Sequence, residues 1–287
     1  MSPFELVEPR SLHAAIHLLD PDDASIRAIA GGTAVMLMMK AGVFRPRRLV
    51  SLRAIESRFS GVETGPGGEL RIGALTPLAV LERSAVVRRE WPVIARTLAT
   101  LSNVRVRNVA TVGGHLAHAD PHMDLPPVLS VLGARVTIAG PAGERTVPVA
   151  SLSTGYYETV LRRNELITTL TVPLQGRKRA AYLKCTIRSA DDWPALGIAV
   201  ALEMDGAAIH DAGVVISAAT DKPTRLAAAE AVLRGASLDE ATLARAGEAA
   251  AEGLDIVGDA HGSASYKKQL LRVYLGRAVR AAAKGAA

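Results

Sequence analysis

The segment that most constrains the fold of this chain is a short apolar run that ends in two glycines and continues as a helix. Residues 25–30 have the apolar character of a buried strand, and Gly31 and Gly32 allow backbone angles that a residue with a Cβ avoids. Thr33 stands where the helix should begin. Free N–H groups at a helix start, with the positive end of the helix dipole behind them, favour phosphate binding. The segment therefore predicts an anion-binding turn.

A second segment repeats this arrangement. An apolar run from Val109 leads to Gly113 and Gly114, and His115 follows the pair. Two such turns suit two linked phosphates. Neither turn continues as G-x-G-x-x-G with an acidic residue about twenty positions later, and no G-x-x-x-x-G-K-[ST] occurs in the chain. The two turns therefore predict a diphosphate site of neither the Rossmann nor the P-loop type.

Composition excludes several classes of function. The 287 residues contain one cysteine, Cys185, so the chain forms no internal disulfide. It also holds no iron–sulfur cluster by itself, because such clusters take about four thiolates. The net charge of +6 is compatible with nucleic acid, but an aromatic content of 3% leaves few side chains on which bases stack. We therefore expect no nucleic-acid partner.

Hydropathy favours a protein that neither enters a membrane nor is exported. The longest apolar stretch, residues 28–39, is shorter than the roughly 18 residues of a membrane span. The first five residues contain neither a basic region nor a twin-arginine pair, so we expect a cytoplasmic location. An apolar content of 49% over this length predicts two or three domains.

The first part of the chain alternates strands and helices and is punctuated by glycine and proline. Residues 3–50 predict strand, helix, strand, helix, strand as a parallel βαβ unit, with Ser11 capping the first helix. Four glycines in residues 61–68 predict a hairpin loop. The further predicted elements are strands at residues 57–62 and 69–73, a helix with Thr76 as cap and Pro77 first, a helix from Pro92 to Thr100, a helix capped by Asp124, a hairpin of residues 135–138 and 145–149, and a strand at 164–173.

The pattern changes after the polar, basic residues 175–179, where we expect a domain boundary. Three strands and three helices are predicted beyond this boundary. The second of these strands ends in an Asp205-Gly206 turn, and Ser237 with Glu240 predicts a capping box at the start of the second helix. The predicted elements are strands at residues 181–187, 198–204 and 213–219 and helices at residues 224–233, 237–251 and 265–283. The chain as a whole is therefore expected to have an α+β fold.

Several short motifs occur together in one known family. They are Ala30-Gly31-Gly32-Thr33, Ala110-Thr111-Val112-Gly113-Gly114, Asp120-Pro121 with Asp124-Leu125-Pro126, Glu165-Leu166-Ile167, Lys184 with Asp191-Asp192, and Tyr266-Lys267. Together they resemble the FAD-binding medium subunit of molybdenum hydroxylases, of the carbon monoxide dehydrogenase medium-chain type and related to the flavin domain of xanthine dehydrogenases. The resemblance implies two subdomains of a PCMH-type FAD-binding fold, residues 1–54 and 55–175, and a C-terminal α+β domain of a three-stranded sheet plus helices, residues 176–287.

The same resemblance implies where FAD binds. The residues expected to wrap its diphosphate are Ile29, Ala30, Gly31, Gly32, Thr33 and Ala34. Those expected in a second cradle are Ala110, Thr111, Gly113, Gly114 and His115, with Asp120 also counted as cofactor-binding. Asp124 would contact the sugar-alcohol chain of the flavin or its polar neighbours, Leu101 and Leu166 would pack on the ring, and Lys184 would lie beside it.

Three histidines allow two interpretations. His115 stands where the family often has Asn, and an imidazole can also donate a hydrogen bond to a phosphate and add charge if protonated. His115, His118 and His122 have a spacing compatible with a metal site, but no cysteine or acidic helical signature completes one. Loop histidines around a cofactor are therefore the better interpretation, and we expect no metal. Tyr156 or Tyr157 would either lie near the ring or pack in the core.

By this resemblance the chain is a flavoprotein oxidoreductase subunit without catalytic side chains of its own. A large subunit would hold molybdopterin, a small subunit would hold 2Fe-2S clusters, and this subunit would collect their electrons on FAD. Lys184 would favour the anionic reduced flavin, so replacing it by Met should lower the flavin midpoint potential.

Some questions stay open at this point. The acceptor is a quinone, NAD or oxygen, and neither the substrate of the complex nor the stoichiometry follows from the sequence. The alternative function is a stand-alone PCMH-type flavin oxidoreductase, against which the segment from Lys184 to Asp192 argues.

Overall fold

A small parallel sheet opens the chain in the computed structural model, which describes residues 3–285. Its strands lie in the order β1, β3, β2 and pair in parallel, as the alternation of strands and helices predicts. The elements are β1 (Glu5–Val7), α1 (Leu12–Leu18), β2 (Ile26–Ile29), α2 (Thr33–Lys40) and β3 (Arg48–Ser51). Met1, Ser2, Ala286 and Ala287, which begin and end the expected domains and include the start of the segment used to predict location, lie outside the described residues.

The second sheet is antiparallel and has five strands in the order β4, β5, β10, β6, β7. Six helices lie between its second and third strands in chain order, and both predicted hairpins are confirmed. The elements are β4 (Val62–Thr64), β5 (Leu70–Gly73), α3 (Leu78–Arg83), α4 (Ala85–Glu90), α5 (Pro92–Thr100), α6 (Val104–Arg107), α7 (Val112–His118), α8 (Leu125–Val131), β6 (Arg135–Gly140), β7 (Gly143–Pro148), β8 (Ser153–Gly155), β9 (Glu158–Thr159) and β10 (Leu166–Val172). Strands β8 and β9 pair with each other in a separate two-stranded sheet.

The third sheet belongs to the C-terminal part and is covered by helices. Its strands follow one another in chain order and pair antiparallel, and Gly206 turns the chain between the two longest with a φ of 58°. The elements are β11 (Arg179–Cys185), β12 (Leu196–Asp205), β13 (Ala208–Ser217), β14 (Thr224–Arg225), α9 (Ala227–Leu233), α10 (Glu240–Glu252) and α11 (Ala264–Ala283). The α+β class and the Asp205-Gly206 turn are confirmed.

Several local predictions were wrong, each for a physical reason. The C-terminal sheet has four strands rather than three, because Thr224 and Arg225 pair with β13 instead of starting a helix. Residues 57–59 form a 3-10 turn, not a strand. Thr76 does not cap α3, since its buried hydroxyl donates to the carbonyl of Gly61 at 2.9 Å and Pro77 takes the cap position.

The predicted capping box of α10 was also wrong. The helix begins at Glu240, and the carboxylate of Asp239 accepts from the N–H of Thr242 at 2.7 Å. Ser237 instead pairs with Ala208 in an isolated β-bridge. Ser11, in contrast, caps α1 as predicted, with its hydroxyl oxygen 3.1 Å from the N–H of Ala14.

Three hydrophobic cores lie under the three larger sheets, and they share residues from neighbouring parts of the chain. The largest surrounds Trp91, whose indole N–H donates to the carbonyl of Pro173 at 3.1 Å. Leu166 of β10 packs in the core of the first sheet, and Ala199 of β12 packs in the core of the second. Each part of the molecule therefore shares apolar contacts with the next along the chain. Within residues 3–285 no helix has the length and apolar character needed to cross a bilayer.

Candidate cofactor-binding site

A cavity of about 700 Å³ lies where the two glycine turns meet. It is walled by the first turn of α2, by α7, by the loops after α5 and α7, and by residues of the C-terminal part such as Lys184. Of the sixteen residues predicted to bind the cofactor, all but Ile29 line it. The fifteen are Ala30, Gly31, Gly32, Thr33, Ala34, Leu101, Ala110, Thr111, Gly113, Gly114, His115, Asp120, Asp124, Leu166 and Lys184.

The first glycine turn has a shape that no other residue type reproduces. A Cβ on Gly31 would lie 2.1 Å from the carbonyl oxygen of Val109, so main chain packs directly against main chain. Gly32 has a φ of 77° and occupies the cap position of α2, whose first residues Thr33, Ala34 and Val35 face the cavity. The N–H groups of a first helical turn have no partner within the helix. This end of the cavity therefore offers free amides and the positive end of the helix dipole.

The second glycine turn differs, which corrects the expectation of two equal amide cradles. The N–H groups of Val112 and Gly113 donate to the carbonyls of Thr76 and Ala74, at 3.0 and 2.7 Å. The N–H of Gly114 donates to the hydroxyl oxygen of Thr111 at 3.2 Å. These amides hold α7 against the end of β5 and are not free for an anion. The second turn contributes close backbone approach and side chains instead.

His115 is the side chain of this turn that is left without a partner. The residue is 9% exposed, and its Nε2 is buried with no hydrogen-bond partner among residues 3–285. Burial, and to a lesser extent the neighbouring His118, lowers the pKa of His115 to about 4. The ring is therefore neutral at pH 7, contrary to the added charge considered from the sequence. A buried polar atom without a partner is rare in native proteins and indicates that a ligand completes the site.

Asp124 holds two side chains rather than capping α8. Its Oδ1 accepts from the hydroxyl of Tyr182 at 2.6 Å, and its Oδ2 accepts from Lys184 Nζ at 2.9 Å. Lys184 also donates to the carbonyl of Thr100 at 3.0 Å. Burial raises the pKa of Asp124, and Lys184 and Tyr182 oppose that rise. Asp124 stands at the cap position of α8 as predicted, but its side chain makes no capping hydrogen bond.

Five polar side chains form a second group, which we call the His122 network: Tyr157, Asp120, His122, Asp259 and Lys267. Asp120 Oδ2 accepts from the Tyr157 hydroxyl at 2.6 Å, and its Oδ1 lies 3.0 Å from His122 Nδ1. His122 Nε2 lies 2.7 Å from Asp259 Oδ2, which also accepts from Lys267 Nζ at 2.6 Å. Only Tyr157, Asp120 and His122 line the cavity.

Ionisation within the His122 network follows from these contacts. Burial alone would raise the pKa of Asp120 and lower that of His122, but their mutual hydrogen bond and those from Tyr157 and Asp259 reverse both effects. The pKa of Asp120 is therefore lowered and that of His122 raised. At Asp259 burial is outweighed by Lys267 and His122, which bring its pKa to about 2.

The structure also shows which of the tyrosines and histidines considered from the sequence line the cavity. Tyr157 lines the cavity, whereas Tyr156 does not and is 61% exposed. His118 lines the cavity and packs its ring against Tyr157, with 5.0 Å between centroids. Within residues 3–285 no three His, Cys, Asp or Glu side chains are grouped so as to hold a metal ion.

Three arginines at the cavity were missed by sequence reasoning. Arg27, Arg162 and Arg163 line it, and Arg27 lies over the ring of Phe44 at 5.9 Å from its centroid. Their positive charge suits an anionic ligand. The adjacent pair Arg162-Arg163 before β10 was the available signal, but only the fold brings it to the glycine turns. Asp259, 137 residues from His122, gave no local signal.

Comparison with known proteins gives family matches over almost the whole chain. Residues 2–175 match the family model described as the FAD binding domain in molybdopterin dehydrogenase, and residues 181–282 match that of the CO dehydrogenase flavoprotein C-terminal domain. The carbon monoxide dehydrogenase medium chain of Afipia carboxidovorans is 30% identical over 277 residues, which cover 96% of this chain and 95% of that protein. The glyceraldehyde dehydrogenase medium chain of Sulfolobus acidocaldarius is 27% identical, with coverage of 94% and 95%.

Solved structures give the same picture. A chain of carbon monoxide dehydrogenase from Hydrogenophaga pseudoflava has a TM-score of 0.94 at 30% identity and covers 100% of both chains. A chain of quinoline 2-oxidoreductase from Pseudomonas putida 86 has a TM-score of 0.92 at 30% identity, with coverage of 99% and 98%. The similarity covers nearly the whole chain and is not confined to the cavity.

Proposed function

This chain belongs to the family of FAD-binding medium subunits of molybdopterin dehydrogenases, and we propose that it binds one FAD in the cavity between its glycine turns and transfers electrons within a molybdenum hydroxylase. The family resemblance seen in the sequence motifs is thereby confirmed. The fold of a FAD-binding domain followed by a C-terminal domain is confirmed as well. The division at residues 54 and 175 remains part of the proposal.

The observation that carries the proposal is the chemistry of the cavity wall. The wall contains the free amides at the start of α2 and, among its other lining residues, three arginines, which suits a diphosphate. The unpartnered Nε2 of His115 is a neutral hydrogen-bond donor or acceptor in the same wall. Leu101 and Leu166 supply apolar surface. This set of groups fits a dinucleotide with an apolar ring better than it fits a small anion.

The side chains of this chain would bind and tune the cofactor, while the cofactor carries the redox chemistry. FAD, when bound, would supply the redox chemistry, with uptake of single electrons from iron–sulfur centres and their release in pairs. The α2 amides would bind the diphosphate, and Leu101 and Leu166 would exclude water from the ring. Asp124 and Lys184 form a neutral pair whose Nζ stays fixed at the cavity wall.

Partners follow from the family rather than from this chain. The relatives are medium chains of dehydrogenases, and one is named as a subunit of a 6-hydroxypseudooxynicotine dehydrogenase complex. We propose a large subunit that holds molybdopterin and a small subunit that holds 2Fe-2S clusters. A cytoplasmic location stays a prediction, as do the acceptor and the substrate.

The test combines spectroscopy with calorimetry on the full chain. We expect the purified protein to take up one FAD per chain and to show a flavin absorption spectrum. Gly31→Ala, which places a Cβ against the Val109 carbonyl, should weaken FAD uptake. Gly213→Ala is the matched control, because its Cβ would meet only a carbonyl at 4.0 Å. A well-folded wild-type chain that takes up no FAD would refute the proposal.

A second experiment separates a subunit from a stand-alone enzyme. An affinity tag on the chain in its native host should bring down two further polypeptides together with molybdenum and iron. A chain that is purified alone, with bound flavin and with reductase activity of its own, would favour the stand-alone flavin oxidoreductase instead.

A further inference from the structure

The His122 network connects the cavity wall to the C-terminal domain. Asp120 and His122 lie in the loop between α7 and α8, whereas Asp259 and Lys267 lie before and within α11. Lys267 is fully buried, and it donates to the carbonyl of Ala218 at 2.6 Å as well as to Asp259. Neither Asp259 nor Lys267 lines the cavity. An effect of either residue on a ligand is therefore indirect, through His122 or through the main-chain link from Ala218 to Pro121.

The backbone around this network is clamped in unusual conformations. Ala119, Tyr157 and Ala218 all have positive φ, at 52°, 59° and 67°. The N–H of Tyr157 donates to the carbonyl of Ala119 at 3.2 Å, and the N–H of Ala218 donates to that of Pro121 at 2.7 Å. Left-handed conformations of such residues persist only where the surroundings hold them. The segment that carries Asp120 is thus held from both domains.

The geometry at His122 favours its charged form. Both ring nitrogens face carboxylate oxygens, Nδ1 that of Asp120 and Nε2 that of Asp259. An imidazolium donates to both, whereas a neutral ring has only one N–H and would turn a lone pair towards one carboxylate. The raised pKa of His122 agrees with this arrangement.

Other titratable groups near His122 are few in the described residues. The rings of His261 and Trp193 both pack against the His122 ring, each with 5.3 Å between ring centroids. Trp193 follows Asp191 and Asp192 in the loop after β11. Beyond Asp120, the ring of His118 packs on Tyr157. The charged groups bonded to the His122 ring are the carboxylates of Asp120 and Asp259, and Lys267 is bonded to the second of these.

Protonation of His122 decides the charge of the whole network. When the ring is charged, the imidazolium and the Lys267 ammonium balance the carboxylates of Asp120 and Asp259. When the ring is neutral, one negative charge remains uncompensated, and Asp120 presents it to the cavity. FAD carries a negatively charged diphosphate, so this change disfavours its binding.

We propose that Lys267 and Asp259 are positioning residues, which act through the His122 imidazolium to hold Asp120 and keep the His122 network electrically neutral, so that FAD binds less tightly once His122 loses its proton. This inference rests on the proposed binding of FAD. It assigns to the C-terminal domain a part in retaining the cofactor.

The first test needs no cofactor. Imidazole titrations of the full FAD-free chain by NMR, with His122 assigned by its absence in His122→Gln, should give opposite shifts in two variants. Asp259→Asn removes a negative charge beside the ring and should move the His122 midpoint down by about one pH unit. Lys267→Met removes an opposing positive charge and should move it up. Asp211→Asn removes a paired carboxylate elsewhere in the same domain and should leave it unchanged.

The second test measures the Kd for FAD by calorimetry between pH 5.5 and 8.5. We expect the wild-type Kd to rise about three- to tenfold through the His122 midpoint, and the Kd of His122→Gln to show no such step. In Asp259→Asn and Lys267→Met the step should move in the directions found by NMR. If Lys267→Met does not fold, Asp259→Asn and His122→Gln suffice.

The outcomes are distinct. FAD uptake with a pH-independent Kd, or a step that is unchanged in Asp259→Asn, would overturn this inference and leave the proposed function standing. A wild-type chain that takes up no FAD at any pH would refute the proposed function itself.

Discussion

At the scale of single residues, burial decides how His115 behaves. Its ring is enclosed, and its pKa of about 4 lies below the usual 6.5 of histidine. Between these two pH values the unfolded chain takes up a proton at His115 that the folded chain does not. The free energy of unfolding should therefore decrease as the pH falls through this window.

This gives a prediction for acid stability. We expect the His115 contribution to fall by about 3 kcal/mol between pH 7 and pH 4, because the pKa difference corresponds to that free energy. His115→Asn should remove this part of the pH dependence, and His210→Asn, at an exposed histidine, should not. Urea unfolding at both pH values would check it, and equal pH dependence in all three proteins would contradict it.

Lys184 supports a prediction that its pairing with Asp124 sharpens. Removing the ammonium leaves the Asp124 carboxylate without its cation at the cavity wall, and a negative charge there disfavours reduction of a nearby flavin. Lys184→Met should therefore lower the flavin midpoint potential by roughly 30 mV, the two-electron equivalent of about 1.4 kcal/mol.

The double variant provides the control. Lys184→Met with Asp124→Asn removes both charges and should bring the potential most of the way back. Spectroelectrochemical titration of the FAD-loaded chain measures both. A Lys184→Met potential equal to or above that of the wild type would contradict the prediction.

The sequence indicated which residues face the cavity but not how they pair. The glycine turns, Asp124 and Lys184 stand in short local motifs, so they were recognisable from the sequence alone. The hydrogen bonds that Asp124 accepts come from residues 58 and 60 positions away, and no local pattern specifies them. Two amides of the second glycine turn were unpredictable for a similar reason. They donate to the carbonyls of Ala74 and Thr76, which are more than thirty residues before the helix that begins at Val112.

At the scale of elements, helix α10 shows how two polar residues that stand two positions apart compete for one cap. Asp239 accepts the hydrogen bond from the first turn, whereas Ser237 lies in a β-bridge two residues earlier. Asp239→Ala should lower the free energy of unfolding by about 1 kcal/mol, because it removes a cap. Ser237→Ala should change it by much less. Urea denaturation at pH 7 distinguishes the two, and equal losses would contradict the assignment.

Element boundaries were the least predictable feature. Ser237 and Asp239 both match the composition of a cap, and only the isolated β-bridge of Ser237 with Ala208 decides between them. Strand β14 has two residues, too few to show an alternating pattern. The long strands and helices, in contrast, carry enough periodic residues to be placed by pattern alone.

At the scale of the whole molecule, binding should be visible as stabilisation. A ligand that binds only the folded chain raises its free energy of unfolding by about 2.7 kcal/mol at one hundred times its Kd. Calorimetric melting of the FAD-free chain with increasing FAD should therefore give a rising Tm. Riboflavin, which lacks the diphosphate, should raise it much less. Equal effects of both ligands would show that the glycine turns are not the anchor.

The overall class was predictable, but the enclosure of the cavity was not. Alternating strands and helices, then hairpins, then strands with helices specify an α+β chain in several parts. The part of the cavity wall that contains Lys184 and Trp193 comes from the C-terminal part of the chain, and its position is set by packing between sheets. Such long-range packing leaves no periodic trace in the sequence.

The contact of Gly31 with the Val109 carbonyl has a consequence for how this cavity tolerates change. At this contact main chain packs against main chain, and main-chain atoms are common to all twenty amino acids, so the packing there does not depend on which side chains surround it. A substitution elsewhere in the wall changes charge or polarity without entering this contact. Position 31 itself has no such latitude, because even one methyl group would occupy the space of an oxygen atom.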